Sequence, residues 1–298
     1  MQREFGSVAE ASETMKNQFA EFAEKINNIR GERAILFAIN PGNWGDSLIR
    51  EGTERFFNYF EIPYRTVEIG ALIKGRSDLQ DAKKLFCGCE PLLIINGCGA
   101  FTKNGRRVPF MAQMSHSFDE TIIFPASYET AVKEEFTWHN THFFARDKDQ
   151  SLANVPEAQF FHDMAFFLDP LNIKVTKKIG NFFRTDSERS GNVRIPRNNF
   201  DISRKGKFHT PVEGFFHAIG EYEVIRTDRL HVAIAGAILG RNVQFFANRY
   251  FKNYSVYCSS MKELYPNVEF FLDGGVVASE KKLGISSFLD FFSPWRDN

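Results

Sequence analysis

The sequence predicts an α/β protein built from two doubly wound units that face one another across a cleft. From Ala34 onward, short apolar runs alternate with amphipathic stretches, the pattern of buried parallel strands joined by helices. A second alternation of the same kind follows residue 178, after a stretch interrupted by Pro156 and Pro170. The 298 residues, 43% of them hydrophobic, supply enough apolar material for one large or two medium domains. Open α/β sheets bind ligands outside the carboxyl ends of their strands, so two facing units place a cleft there.

Residues 8–29 are polar and charged, yet Phe19, Phe22, Ile26 and Ile29 recur at spacings of three and four. That spacing makes one apolar helix face, which docks on the body. In the first unit 34–39, 65–69, 92–95, 121–124 and 141–144 read as strands, with helices at 47–60, 79–87 and 128–136. In the second, 179–183, 222–225, 243–246 and 268–271 read as strands, with helices near 212–220, 230–239 and 253–264. The expected organisation is a leader helix in 1–30, a first unit in 31–160 and a second in 161–298, with the crossover inside 149–178. Residues 186–209 are basic, polar and without periodicity, a long surface loop of the kind that beside a cleft also binds substrate.

Lys plus Arg and Asp plus Glu both number 37, and no basic block exceeds a few residues, so the footprint of a nucleic-acid binder is missing. No stretch approaches the roughly 18 apolar residues of a spanning helix, and the amino terminus lacks a basic segment followed by an apolar run. Cys87, Cys89, Cys98 and Cys258 make no disulfide scaffold in a chain of this length, in keeping with a reducing compartment. The expectation is a cytoplasmic protein with no nucleic-acid partner, whose phosphate binding is local.

Thr227-Asp-Arg-Leu-His231 sits between a strand-like run and the small-residue helical run 232–239. The first amides of a helix are unpaired and its dipole is positive there, so an anion is favoured before Arg229 adds its charge. His231 stands beside that anion, able to move a proton. A second junction, Asn40-Pro-Gly-Asn-Trp-Gly-Asp46, closes the first strand and opens a helix. Gly42 and Gly45 permit close backbone approach, Asn43 can donate and accept, and Asp46 either caps the helix or faces a ligand. Asn96-Gly-Cys-Gly99 leaves open amides at Gly97 and Gly99; Cys98 reads as a small buried thiol. The spacing of Cys87, Cys89 and Cys98 lacks a zinc knuckle, so no metal is expected. Arg146 follows a further strand and either grips an anion or pairs with Asp147 or Asp149. His139 and His142 share a face only on a helix and, on a strand, read as structural.

Taken in order, these junctions resemble the polysaccharide pyruvyl transferase family. The matching elements are Gly42-Asn-Trp-Gly-Asp-Ser-Leu-Ile49, Gly97-Cys-Gly99, Ala145-Arg-Asp147, Asp163-Met-Ala-Phe166, Thr227-Asp-Arg-Leu-His231 and Asn248-Arg-Tyr-Phe-Lys252, spanning about residues 34–255. Asn40-Pro41 departs from the aspartate or other small polar residue frequent in the family, and Cys98 interrupts its glycine triplet.

The resemblance implies two Rossmann-like domains in a GT-B-type arrangement with an interdomain cleft. It implies transfer of pyruvate from phosphoenolpyruvate to two hydroxyls of a sugar, giving a cyclic ketal and phosphate, in exopolysaccharide or other cell-surface glycan synthesis. Phosphoenolpyruvate is then a co-substrate and no cofactor is needed. Arg146, Arg229, Leu230, His231, Asn43, Gly97 and Gly99 would hold the donor. His231 would protonate the methylene carbon or the departing phosphate, with Arg229 beside it, and Asp46 would orient or deprotonate an acceptor hydroxyl. Arg184, Asn248 and Lys252 are further candidates for the cleft or the acceptor. The acceptor is a sugar or glycan, lipid-linked in many members, which adds peripheral contact with the inner membrane face to the expectations; the basic loop 186–209 with Lys177 and Lys178 would make it. A glycosyltransferase using a nucleotide sugar on the same architecture, and an inactive glycan-binding relative, are the competing readings.

Overall fold

The computed structural model describes residues 8–99, 101, 107–189, 193–273 and 276–277. Residues 1–7, 190–192 and 278–298, which the sequence reading assigns to the leader segment, the basic loop and the end of the second unit, lie outside the described residues. Helix α1 (Val8–Arg30) precedes the first sheet. Its apolar stripe docks as the spacing requires, with Phe19, Phe22 and Ile26 buried in the main core.

The first unit runs β1 (Ile35–Ile39), α2 (Trp44–Tyr59), β2 (Tyr64–Glu68), α3 (Ile69–Ile73), α4 (Leu79–Lys84), β3 (Leu92–Ile95) and α5 (Val108–Ser115). It continues with β4 (Thr121–Ala126), α6 (Val132–Glu135), β5 (Thr141–Ala145), α7 (Gln150–Asn154) and β6 (Gln159–Phe160). The strands form one parallel sheet in the order β2-β1-β3-β4-β5-β6. Strands β1, β3 and β4 are buried throughout because side chains alternate between two cores. Ile35, Phe37, Ile94 and Phe124 enter one core, while Leu36, Ala38, Leu93 and Ile123 enter the other.

The second unit runs β7 (Lys177–Asn181), α8 (Glu213–Gly220), β8 (Tyr222–Thr227), α9 (Leu230–Ile238), β9 (Asn242–Phe246), α10 (Lys252–Val256), β10 (Val268–Asp273) and β11 (Val276–Val277). Among the described residues its sheet has the order β11-β10-β9-β8-β7, parallel except for the β10–β11 pair. The chain is thus α/β with two mostly parallel sheets.

The main core does not stop at either unit. It gathers Phe19 and Phe22 of α1, Phe56 of α2, Phe167, Phe215 of α8, Ile234 of α9 and Phe245 of β9 into one cluster. The crossover expected inside 149–178 supplies the joint, a buried 3-10 turn at Met164–Phe167 laid against α2. Gly52 makes that approach possible, since an added Cβ would stand 2.0 Å from the Met164 carbonyl oxygen.

Three expectations change. The helix expected at 128–136 shrinks to α6, because Tyr128 is buried, donates its backbone N–H to Ser151 Oγ and donates its hydroxyl to the Phe144 carbonyl. The helix expected at 253–264 begins as α10 and passes into a π turn at Tyr257–Met261. The segment 186–209 is only partly a surface loop: Asp201, Ile202, Ser203 and Phe208 are buried, and Ile202–Lys205 is a 3-10 turn. Polar contacts fix its end to the start of α2, with Phe208 N–H donating to the Gly42 carbonyl at 3.2 Å and Trp44 Nε1 to the Pro211 carbonyl at 3.0 Å. Among the described residues no helix is long and apolar enough to cross a membrane.

Candidate active site

The carboxyl ends of β1, β3, β5 and β8 and the amino ends of α2 and α9 converge on a cavity of about 240 Å³. Both sheets contribute, and the helix starts meet where Gly45 leaves room for His231; an added Cβ there would stand 2.7 Å from its Nδ1.

On the first wall the polar residues of the glycine junction hold the helix start. Asn43 is the N-cap of α2, its side-chain oxygen accepting from Gly45 N–H at 2.7 Å. Asp46 at the third helical position accepts from Asn43 N–H at 2.7 Å and completes the capping box. The cap is therefore Asn43, with Asp46 as its partner from inside the helix, although both also line the cavity. Behind them Asn40 is 3% exposed and donates its amide to the Asn96 carbonyl at 3.1 Å, which leaves its Oδ1 without a partner. Cys98 is buried and lies 3.4 Å from the same amide.

Arg146 makes neither of the surface pairs that sequence allowed. It is 1% exposed and donates from Nη1 to Asp163 at 2.7 Å and from Nε to Ser127 Oγ at 2.9 Å. Asp147 faces away and anchors the start of α7 by accepting from the Ser151 amide and hydroxyl. The remaining Arg146 nitrogen, Nη2, lies over Gly99; a Cβ there would come within 3.3 Å of it and within 3.5 Å of Lys252 Nζ. Gly99 thus marks the point where two cations converge.

Asp163 is fully buried and links that arginine to the histidine. Its Oδ2 takes Arg146 and stands 3.6 Å from His231 Nε2, just beyond hydrogen-bonding distance, while Oδ1 accepts from Ala165 N–H. Burial would raise the Asp163 carboxyl, but His231 and Arg146 outweigh it and hold the group well below the usual carboxylate range. Nε2 is buried against this anion, while Nδ1 lies on the side of Gly45, and the residue lines the cavity. In the sequence Asp163 stands out only as part of the Asp163-Met-Ala-Phe166 motif, and nothing in the local pattern assigns it a role beside residue 231.

Arg229 forks onto Asp201, with Nε at 2.9 Å and Nη2 at 2.8 Å, and Nη2 also reaches Asp186 at 2.9 Å. Arg184 is likewise held by Asp186 and Glu188. Arg229 occupies the N-cap position of α9 without a side-chain cap bond, so the first helix amides are not closed by a cap. Lys252 is pushed down to about 8 by burial, with Arg184 and Arg146 acting in the same direction and Glu188 against them. Arg107, Glu188, Asn40 and Ser203 line the cavity and were not anticipated. Asn248, expected in the cleft, does not line it; the residue is buried with both side-chain polar atoms unpartnered. His142 pairs with Glu120 at 2.7 Å, far along β5 from this end. Among the described residues no group of His, Cys, Asp and Glu is arranged to hold a metal.

No protein-family model matches the chain, and no curated protein matches it. The fold is similar to a solved structure from Klebsiella pneumoniae subsp. pneumoniae NTUH-K2044, described as a functional uncharacterized protein. The two share 25% identity with a TM-score of 0.68, over 86% of this chain and 99% of that one.

Proposed function

We propose that the protein is a pyruvyl transferase of GT-B type, moving pyruvate from phosphoenolpyruvate to two hydroxyls of a sugar or glycan. The observation that carries this reading is the chain Arg146–Asp163–His231 at the mouth of an uncapped helix, opposite Lys252. A small donor bearing both a carboxylate and a phosphate matches that set, since it needs two cationic contacts and one proton donor. The cavity volume of about 240 Å³ lies below the roughly 300–1,000 Å³ of drug-sized ligand sites, which favours such a donor over a nucleotide sugar.

The chemistry follows from these positions. The α9 amides hold phosphate, and Arg146 Nη2 with Lys252 supplies positive charge near Gly99. His231, its imidazolium supported by Asp163, gives a proton to the donor methylene, and C2 becomes electron-poor. One acceptor hydroxyl oxygen bonds to C2, the C2–O bond to phosphate breaks, and the second hydroxyl oxygen closes the ketal. The acceptor loses two protons; the balance is one proton on the new methyl group and one on the phosphate released.

The test is incubation with phosphoenolpyruvate and a panel of sugar acceptors, read by mass spectrometry and phosphate release. A ketal adduct formed with equimolar phosphate supports the reading. Transfer from a nucleotide sugar, with phosphoenolpyruvate left intact, replaces it with the glycosyltransferase reading; saccharide binding without any turnover leaves a glycan-binding protein.

A further inference from the structure

Glu188 fills part of the cation cluster with a carboxylate of its own. Its Oε2 lies 2.6 Å from Arg184 Nη1 and 3.4 Å from Lys252 Nζ, and accepts from the Tyr250 hydroxyl at 3.2 Å. The cations around it are enclosed and the acid is not: the side chains of Arg184 and Lys252 are 7% and 12% exposed, that of Glu188 45%. Arg184 stays in place without Glu188, because Asp186 holds its Nε and Nη2 from another side. Of the two acids among the described residues lining the cavity, Asp46 is committed to the α2 cap, which leaves Glu188 as the exchangeable one.

Three donors converging on one carboxylate, two of them desolvated cations, form a receptor for a carboxylate whichever molecule supplies it. We propose that Arg184, Tyr250 and Lys252 are the subsite for the carboxylate of the ligand, and that Glu188 holds this place until the ligand displaces it. The inference rests on the anion-binding part of the proposed function and does not require that pyruvyl transfer occur. It changes the assignment of contacts: Arg229, bound to Asp201 and Asp186, serves as framework, while Arg184 meets the ligand.

The probe is pyruvate, a carboxylate without a phosphate, titrated by calorimetry into the native chain, Glu188→Gln, Glu188→Ala and the surface control Glu263→Gln. Displacement predicts that both Glu188 variants bind pyruvate about tenfold or more tightly, the scale of one charge-assisted hydrogen bond, while the control stays at the native value. Hydrogen exchange separates displacement from loss of a nearby charge. In the native chain Glu188 N–H is held by Asp186, and Arg249 N–H by the Glu188 carbonyl. Pyruvate is therefore expected to speed exchange at residues 186–189 and at the Arg249 amide. Equal or weaker binding by the Glu188 variants, protection of 186–189 on binding, or no pyruvate binding by any of the four proteins overturns the proposal. Absence of ketal formation, by contrast, bears only on the proposed reaction.

Discussion

Replacing Asp163 with Asn tests whether the buried carboxylate sustains the proton donor. The change keeps the shape of the side chain, and the amide oxygen can still accept from Ala165 N–H, so the perturbation is mainly the loss of one charge. At 3.6 Å the attraction between that charge and protonated His231 is about 4–5 kcal/mol at an effective dielectric constant of ~20. If all of it supports the transition state, turnover falls by about three powers of ten. A second cost appears in stability, because Arg146 would be left buried without its counter-charge at 2.7 Å, and breaking such a pair costs roughly 3–5 kcal/mol. The assay is phosphate release from phosphoenolpyruvate with acceptor present, below the melting temperature of the variant, with calorimetric melting measured in parallel. The expected result is a folded variant that melts earlier and turns over about 10³-fold more slowly. A folded variant with turnover within about threefold of native would refute the dyad, whatever its melting temperature.

Arg229→Lys is expected to lower the melting temperature while changing the donor dissociation constant little, because Nε and Nη2 are committed to Asp201 and Asp186; calorimetry of unfolding and of donor binding reads both. Lys252, near 8, loses its charge as pH rises through that value, so donor affinity should fall above about pH 8, and Lys252→Met should bind weakly with that step absent from its pH profile. His162 and Asp228 set opposite slopes of stability in acid. Burial lowers His162 from 6.5 to about 4, so its contribution is present above pH 6.5 and is lost as pH falls through 4. Burial raises Asp228 from 3.8 to about 6, so its contribution is present below pH 3.8 and is lost as pH rises through 6. Each is worth about 3 kcal/mol, so denaturant melts should show stability rising from pH 4 to 6.5 in Asp228→Asn and falling over pH 4 to 6 in His162→Gln, with the native chain flatter than either.

Strands β1, β3, β5, β8 and β9 were legible as short apolar runs ending at a glycine or a polar junction, whereas the polar β7 begins two residues before the expected 179–183 and the two-residue β6 and β11 were not expected. Helix α5 was legible in principle, since Pro109 stands at its first turn, yet its apolar mixture lacks a clear stripe. The buried turn at Met164–Phe167 was not, because two prolines and short polar stretches on either side mimic a linker. Its burial rests on close approach to Gly52 of α2, more than 100 residues earlier in the chain, a contact that no local window contains. The same limit applies to the site. The ends of the strands located Arg146 and His231, but the carboxylate between them comes from a loop between the two sheets.

Charge pairing decides what this cavity can select. Among the described residues its lining holds five cations, Arg107, Arg146, Arg184, Arg229 and Lys252. Leaving His231 aside, these are matched around the cavity by Asp46, Asp163, Asp186, Glu188 and Asp201. A bare basic pocket would attract any anion; a balanced one returns little to an anion that displaces nothing. The acids at Asp163, Asp186 and Asp201 instead hold guanidinium groups at fixed angles, which removes the reorganisation that loose side chains would undergo on binding. Among the described residues, what remains open to a ligand is the α9 amino end, Arg146 Nη2, Arg107, which donates only to the Pro41 carbonyl, and the place Glu188 occupies. Those positions favour a molecule with two anionic groups of different shape, one for the helix amides and one for the Arg184–Lys252 pair, and they disfavour a single small ion that can reach only one of them.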